Sequence, residues 1–440
     1  MAQGALPGFR DFYPAEFAQR AYIARVWREV ARRYAFVEYD GPPLEPLDLY
    51  TKKSGEEIVG QLYNFTDKGG REVALRPEMT PTLARMVAAR ANALRKPVRW
   101  FSLPQLFRYE RQQKGRLREH FQLNVDIIGE SDVTADAELL AVAIEIMGEF
   151  GLSPTDVRAR VSDRRLLRAL LHRLGVSEAQ LPGVFAVIDK IERQPREVSA
   201  EKLAAAGMSV ESREALFALM DGVTLEALRA RYGDTPDIAE RIADLERYYG
   251  YLDDLGVASW VQLDLSIVRG LAYYTGIVFE LFDAQGEFRA ICGGGRYDNL
   301  LNALGGVDLP ALGFGMGDVV LGELLRSRGL ADAPLGEPDF WVAATENGDV
   351  RDVLLAATKL RRAGASVEYA LRPQSLSKQR KAAFSAGATY FVTVGAGFRE
   401  NDGVEIDEVQ RVEGAGASLV DRLASMPRTL ASVISLVRDS

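Results

Sequence analysis

The chain has 440 residues, 47% of them hydrophobic, and a formal net charge of −8; that is enough apolar material for two or three cored domains, and the acidic total argues against indiscriminate nucleic-acid binding while leaving room for a local basic surface. Cys292 is the single cysteine and His120 and His172 the only histidines, which excludes a disulfide framework and a Cys/His zinc cluster. No apolar run is long enough to span a bilayer and no basic-then-apolar leader opens the sequence, so no membrane partner is expected and the cytoplasm is the expected compartment.

From Ala15 to Tyr34, apolar residues recur at helical spacing (Ala21, Ile23, Val26, Trp27, Val30), and Phe36 to Tyr39 follows as a short strand. Glu72 to Leu75 reads as a strand and Pro77 to Ala93 as a helix, which places Glu78 at the turn between them, where a carboxylate can meet a ligand. Arg108 to Gly129 reads as a hairpin. In its second strand Phe121, Leu123, Val125 and Ile127 point one way and Gln122, Asn124 and Asp126 the other, so one face packs and the other faces a ligand. Arg111, Lys114, Arg116 and Arg118 crowd the connection around Gly115, with Arg108 closing the first strand, a set of donors suited to polyphosphate oxygens.

A helix over Val133 to Phe150 and a strand over Val157 to Val161 come next. The pattern is then almost wholly helical from about Asp163 to Gly256, an insertion before strands resume at Trp260. Val268-Arg269-Gly270-Leu271-Ala272-Tyr273-Tyr274, and later Cys292-Gly293-Gly294-Gly295-Arg296-Tyr297-Asp298, are not packing patterns; paired tyrosines beside an arginine and a run of glycines let backbone approach a small ligand closely. Residues 329–338, rich in Gly, Pro and small side chains, read as a linker. Strands at Phe340 to Ala343, Val367 to Ala370 and Tyr390 to Val394, separated by two helices, predict a βαβαβ module with a parallel sheet, on which Arg361, Arg362, Arg372, Lys378, Arg380 and Lys381 offer phosphate contacts.

These stretches, together with Leu75-Arg76-Pro77-Glu78-Met79-Thr80 and the opening Leu6-Pro7-Gly8-Phe9-Arg10-Asp11-Phe12, resemble the histidyl-tRNA synthetases, a class II aminoacyl-tRNA synthetase family, in the right order from residue 6 to about 395. The resemblance implies an α/β protein: an α+β catalytic domain over 1–328 built on the antiparallel class II sheet, a helical insertion over 163–256 within it, a linker over 329–338, and an anticodon-binding-like α/β domain over 339–440. It implies ATP-dependent ligation of L-histidine to tRNA(His) through histidyl-adenylate, with ATP carried as its Mg2+ complex, no metal ligand assigned to the protein, and a homodimer. Matched residue by residue, Arg108 and Arg269 become the catalytic arginines, and Arg108 and Arg116 the ATP-binding ones. Histidine binding falls to Glu78, Met79, Thr80, Gln122, Asp126, Arg269, Tyr273 and Tyr274, with Glu78 and Gln122 toward the α-amino group and Asp126 and a tyrosine toward the imidazole.

The chain departs from the family pattern at three positions. Asp126 stands where many members carry glutamate, Ala272 where aspartate is usual, and Val320 where the last motif places an arginine on the nucleotide. Ala272 and Val320 favour a second reading, a non-catalytic paralogue such as the histidine-binding regulatory subunit of ATP phosphoribosyltransferase; the retained arginines and the C-terminal α/β domain favour the ligase. A bare tRNA-binding protein would not explain the imidazole-binding set.

Overall fold

Most of the strands in the first unit build one sheet. In this computed structural model, which describes residues 4–51, 60–110, 115–268, 273–331, 336–346, 348–409 and 418–438, the strands run in chain order β1 (Val37–Glu38), β2 (Leu44–Pro46), β3 (Asn64–Thr66), β4 (Glu72–Leu75), β5 (Val98–Ser102), β6 (Gln105–Phe107), β7 (Glu119–Ile128), β8 (Val157–Asp163), β9 (Val261–Leu263), β10 (Ile277–Asp283), β11 (Cys292–Arg296) and β12 (Ala311–Gly317). Among the described residues nine of them form a sheet of order β1-β5-β7-β12-β11-β10-β8-β9, with β6 also on β7, while β2-β4-β3 make a small separate sheet. Only the outermost pairs, β1 with β5 and β8 with β9, are parallel; every inner pair is antiparallel.

The predicted alternation of β7 is realised. Leu123, Val125 and Ile127 are buried in the core and join one hydrophobic cluster with the helices Pro14–Arg33, Val133–Glu149 and Asp318–Ser327, which cover that face of the sheet. Helix Val133–Glu149 is apolar nearly all round, as a helix enclosed on every side must be. Asp132 caps it, accepting from the Thr134 amide at 2.9 Å, a contact worth about 1 kcal/mol. Its one buried charge, Asp136, pairs with Arg296 at 2.5 Å. Arg296 is therefore a structural residue that ties the end of β11 to the central helix.

Residues 164–254 are helical, from Arg164–Arg173 to Pro236–Asp254. Their apolar faces divide. The helices between Leu181 and Met220 share a small core of their own, whereas Ile238, Ile242, Leu245, Tyr248 and Leu252 of Pro236–Asp254 belong to the main core. The chain separates into two compact units, Met1–Ala333 and Pro334–Ser440. In the second, β13 (Phe340–Ala344) lies parallel to β14 (Val367–Glu368) and to β15 (Tyr390–Val394). A further strand, β16 (Val404–Glu408), pairs antiparallel to β15, so the sheet is mixed where the sequence predicted only parallel strands. Its alternation, Val404 and Ile406 inward against Glu405 and Asp407, is a strand signal that the βαβαβ reading left unused.

Candidate functional site

The polar face of β7 floors a cleft in the first unit. Gln122, Asn124 and Asp126 project into it beside Gly313 and Gly315 of β12, whose register sets Gly313 against Asp126, Gly315 against Asn124 and Gly317 against Gln122. The glycines are needed for room. A Cβ on Gly313 would fall inside the contact distance of Asp126 Oδ1 and lie 2.8 Å from the Val125 carbonyl; one on Gly315 would run into the Gln122 amide. Bare backbone on β12 thus lets three polar side chains of its neighbour stand over the sheet.

The cleft has two lobes that meet at Arg108, Glu110, Arg116, Gln122, Glu280 and Gly315. The inner lobe, about 640 Å³, is lined by Glu78, Thr80, Asn124, Asp126, Tyr273, Tyr274 and Tyr297. Tyr273 sits with its ring centroid 5.0 Å from Tyr274 and 5.9 Å from Tyr297, so the lobe is aromatic on one side and carboxylate on the other. The Tyr297 hydroxyl donates a short hydrogen bond to Asp126 Oδ1. Burial pushes the Asp126 carboxyl up to about 7, and that hydrogen bond offsets part of the rise. The same burial, reinforced by the Asp126 charge, holds Tyr297 well above the usual phenol range. Such a pocket offers a planar ring aromatic packing and a buried acceptor for one N–H.

The outer lobe, about 680 Å³, is cationic. Arg108, Arg116, Arg193 and Arg289 line it with Glu110 and Glu280, over a floor of Gly293, Gly315, Gly317, Val319 and Val320. Arg108 stands at the junction and donates from Nε to the Pro77 carbonyl at 2.9 Å, which fixes its guanidinium beside Glu78. Arg116 pairs with Glu110 at 3.0 Å. His120 lies between the strand and the lobe; burial first, and the Arg108 charge second, draw its imidazole down to about 3, so it is a neutral ring there.

Of the site residues expected from sequence, Glu78, Thr80, Arg108, Arg116, Gln122, Asp126, Tyr273 and Tyr274 line this one cleft. Met79 does not: it is 1% exposed, and its side chain packs under Arg76 rather than toward the cavity, because the first helical turn rotates it into the core. Arg269 and Ala272, and the loop cations Arg111 and Lys114, lie outside the described residues. Asp264, near the start of the same stretch of chain, is held by Arg160 and by Ser266. Sequence reasoning gave no role to Tyr297, although it stands in a quoted motif, nor to Arg289. It also missed Asp189, Lys190 and Arg193, which the helical insertion brings to the rim; only the folded chain places those beside β7.

A family model described as histidyl-tRNA synthetase matches residues 8–317. A histidine–tRNA ligase of Opitutus terrae is 44% identical over 388 residues, covering 87% of this chain and 89% of its own. The chloroplastic/mitochondrial histidine–tRNA ligase of Arabidopsis thaliana is 40% identical over 414 residues, covering 94% and 85%. The solved histidyl-tRNA synthetase of Nostoc sp. PCC 7120 superposes with a TM-score of 0.79 over 93% of this chain and 95% of its own at 23% identity, a likeness that establishes the class II synthetase fold. A Bacillus halodurans chain described as an ATP phosphoribosyltransferase regulatory subunit/histidyl-tRNA synthetase reaches 0.74 over 90% and 99%, also at 23%. Fold alone therefore does not separate ligase from regulator, and sequence does: matched through most of its first unit by the family model and along most of its length by ligases, the chain belongs to the histidyl-tRNA synthetase family.

Proposed function

We propose that the protein is a histidine–tRNA ligase that activates L-histidine with ATP and passes the histidyl group to tRNA(His). The observation that carries this reading is the bilobed cleft, in which a lobe built for a planar, N–H-bearing side chain opens at Arg108 onto a lobe built for a polyphosphate. Activation is attack of the histidine carboxylate on the α-phosphate with departure of pyrophosphate, and the extra negative charge appears at the junction of the lobes. Arg108, already oriented by Pro77, supplies fixed positive charge there without reorganisation. Glu78 and Gln122 take the α-amino group, Thr80 and the two tyrosines enclose the ring, and Asp126, held by Tyr297, accepts from an imidazole nitrogen. Arg269, by its place in the motif, serves the substrate carboxylate and the α-phosphate. Arg116 meets the distal phosphates.

Among the described residues no three His, Cys, Asp or Glu side chains gather as a protein-only metal site would need. A Mg2+ that arrives on the triphosphate and keeps its waters needs only one or two carboxylates, which Glu110 and Glu280 supply; it would neutralise phosphate charge. Two further readings rest on surfaces. The outward face of helix Pro14–Arg33, with Phe17 48% exposed beside Ala21, Ala24, Leu103 and Phe121, supports a homodimer. No helix among the described residues is long and apolar enough to cross a membrane, and the compartment proposed for the enzyme is the cytoplasm.

ATP–pyrophosphate exchange with each amino acid in turn, followed by charging of tRNA(His), tests the reading. Exchange should depend on histidine. Histidine binding without exchange would establish the regulatory paralogue instead.

A further inference from the structure

We infer that Arg289 is a triphosphate-binding residue of the nucleotide lobe, supplying the cation that position 320 lacks. The inference rests on the ligase reading for the identity of the nucleotide, and on geometry for the residue. Helix Asp318–Ser327 opens at the floor of the outer lobe and presents Val319 and Val320 to it. Val320 packs on the main core below. Above, its Cγ2 lies 3.4 Å from where a Cβ on Gly115 would stand, so the far end of the hairpin connection rests on an apolar platform and no positive charge rises from it.

The segment leading into the neighbouring strand fills that gap. β11 runs antiparallel to β12 with Cys292 opposite Met316 and Gly293 opposite Gly315. Arg289 lies on the chain leading into β11, three residues before it, and Val319 stands at the start of the helix that follows β12. Both line the outer lobe together with Val320. There the Arg289 guanidinium is drawn below the ordinary arginine value, by desolvation first and then by the like charges of Arg116 and Arg193, with Glu110 opposing. Arg116 and Arg193 thus repel the Arg289 guanidinium across this opening, and a polyanion bound among them relieves that repulsion. Arg193 reaches the lobe from the insertion, on a short 3-10 turn tethered through Glu192 to Arg160, whose Nη1 donates to Glu192 Oε2 at 2.9 Å. Arg289 lies three residues before β11, on chain tied to β10 by the Ile291 amide, which donates to the Leu281 carbonyl at 2.8 Å, and a donor anchored close to the sheet is the better candidate for a fixed phosphate contact.

The test uses the full-length protein and reads ATP and histidine separately. Arg289→Ala should raise the KM for ATP in pyrophosphate exchange by at least tenfold and leave the KM for histidine within twofold. Arg289→Lys should fall between, since a point charge replaces a bidentate fork. Adding Val320→Arg to Arg289→Ala should recover much of the ATP affinity, because it returns a cation to the same lobe from the helix Asp318–Ser327. An ATP KM unchanged in Arg289→Ala, or a loss seen in Arg193→Ala and not in Arg289→Ala, overturns the assignment. Equal losses for ATP and histidine overturn it too, since they mark Arg289 as structural. If the wild type fails to exchange pyrophosphate at all, the ligase reading falls. The Arg289 assignment is then decided by equilibrium binding of ATP alone: a loss of at least tenfold in Arg289→Ala supports it, and equal affinity in wild type and variant refutes it.

Discussion

At Asp126 the local physics makes a pH-dependent demand. Burial holds its carboxyl up at about 7 in the empty protein, so near neutrality about half the molecules carry a proton on the atom that should accept from histidine. A ligand N–H favours the ionised form, and affinity must therefore fall as the pH drops and Asp126 keeps its proton. Between pH 8 and 6.5, the ionised fraction for such a group falls about fourfold, and histidine affinity should weaken by that factor in the wild type. Asp126→Asn should lose about 1.5–3 kcal/mol of histidine binding, the range for a hydrogen bond to a charged partner, and should lose the fourfold slope with it. Calorimetric titration at the two pH values checks both; a slope that survives in Asp126→Asn assigns it to another group. The alternation of β7 made Asp126 legible as a ligand-facing residue. Its hold by Tyr297, 171 residues away along the chain, was not, because the pairing of β12 with β7 and β11 decides which tyrosine reaches it.

Between elements, the cleft depends on what β12 omits. Gly313→Ala would drive a methyl group into Asp126 and against the Val125 carbonyl. Either the strand pair shifts or the carboxylate moves, at a cost of about 1–3 kcal/mol for an overpacked site. The thermal midpoint should drop, and histidine affinity should drop more than tenfold. Gly317→Ala is the control, since nothing lies within 4 Å of its Cβ and the midpoint should hold. A glycine-rich strand is visible in sequence; which glycine faces the ligand is a matter of register, and register is set by the partner strand.

The same sheet is braced at its N-terminal side by Arg10, which bonds Glu119 at 2.6 Å and Asp318 at 2.9 Å, joining the opening segment to the base of β7 and to the last helix of the unit. Arg10→Met would leave two carboxylates, 1% and 4% exposed, without their counter-ion, at a cost of about 3 kcal/mol. Asp318 is already raised by burial, and losing Arg10 raises it further. A carboxyl whose folded pKa exceeds its unfolded one loses stability as the pH rises between those two values. Denaturant midpoints should therefore show Arg10→Met more damaging at pH 8 than at pH 5, and equal damage would mean that the carboxylates are not its true partners. Arg10 was quoted in the opening motif, yet its role was illegible there, because both partners lie more than a hundred residues downstream.

At the scale of the whole molecule, the chain forms two compact units, Met1–Ala333 and Pro334–Ser440. Every residue named in the chemistry lies in Met1–Ala333, while Pro334–Ser440 carries its own core. On the second unit, the cations marked from sequence do not all remain available. Arg361 donates to the Val367 carbonyl at 2.6 Å and lies over Tyr369, and Arg380 pairs with Asp407 over Phe391. Arg372, Lys378 and Lys381 are exposed on and just before the helix Leu376–Ser385, beside Leu371, which is 91% exposed, and Phe384, at 63%. A basic edge interleaved with apolar side chains suits single-stranded nucleotides, whose bases stack while their phosphates meet the cations. The double substitution Lys378→Ala with Lys381→Ala should leave histidine-dependent pyrophosphate exchange unchanged and raise the KM for tRNA(His) in charging. It should also flatten the salt dependence of tRNA binding by about 0.7 per lost phosphate contact in a log–log plot. A KM increase with no change in that slope would make the loss a packing effect and remove these lysines from the tRNA surface. Loss of exchange itself would show that the second unit supports the chemistry of the first, which nothing in its separate core implies.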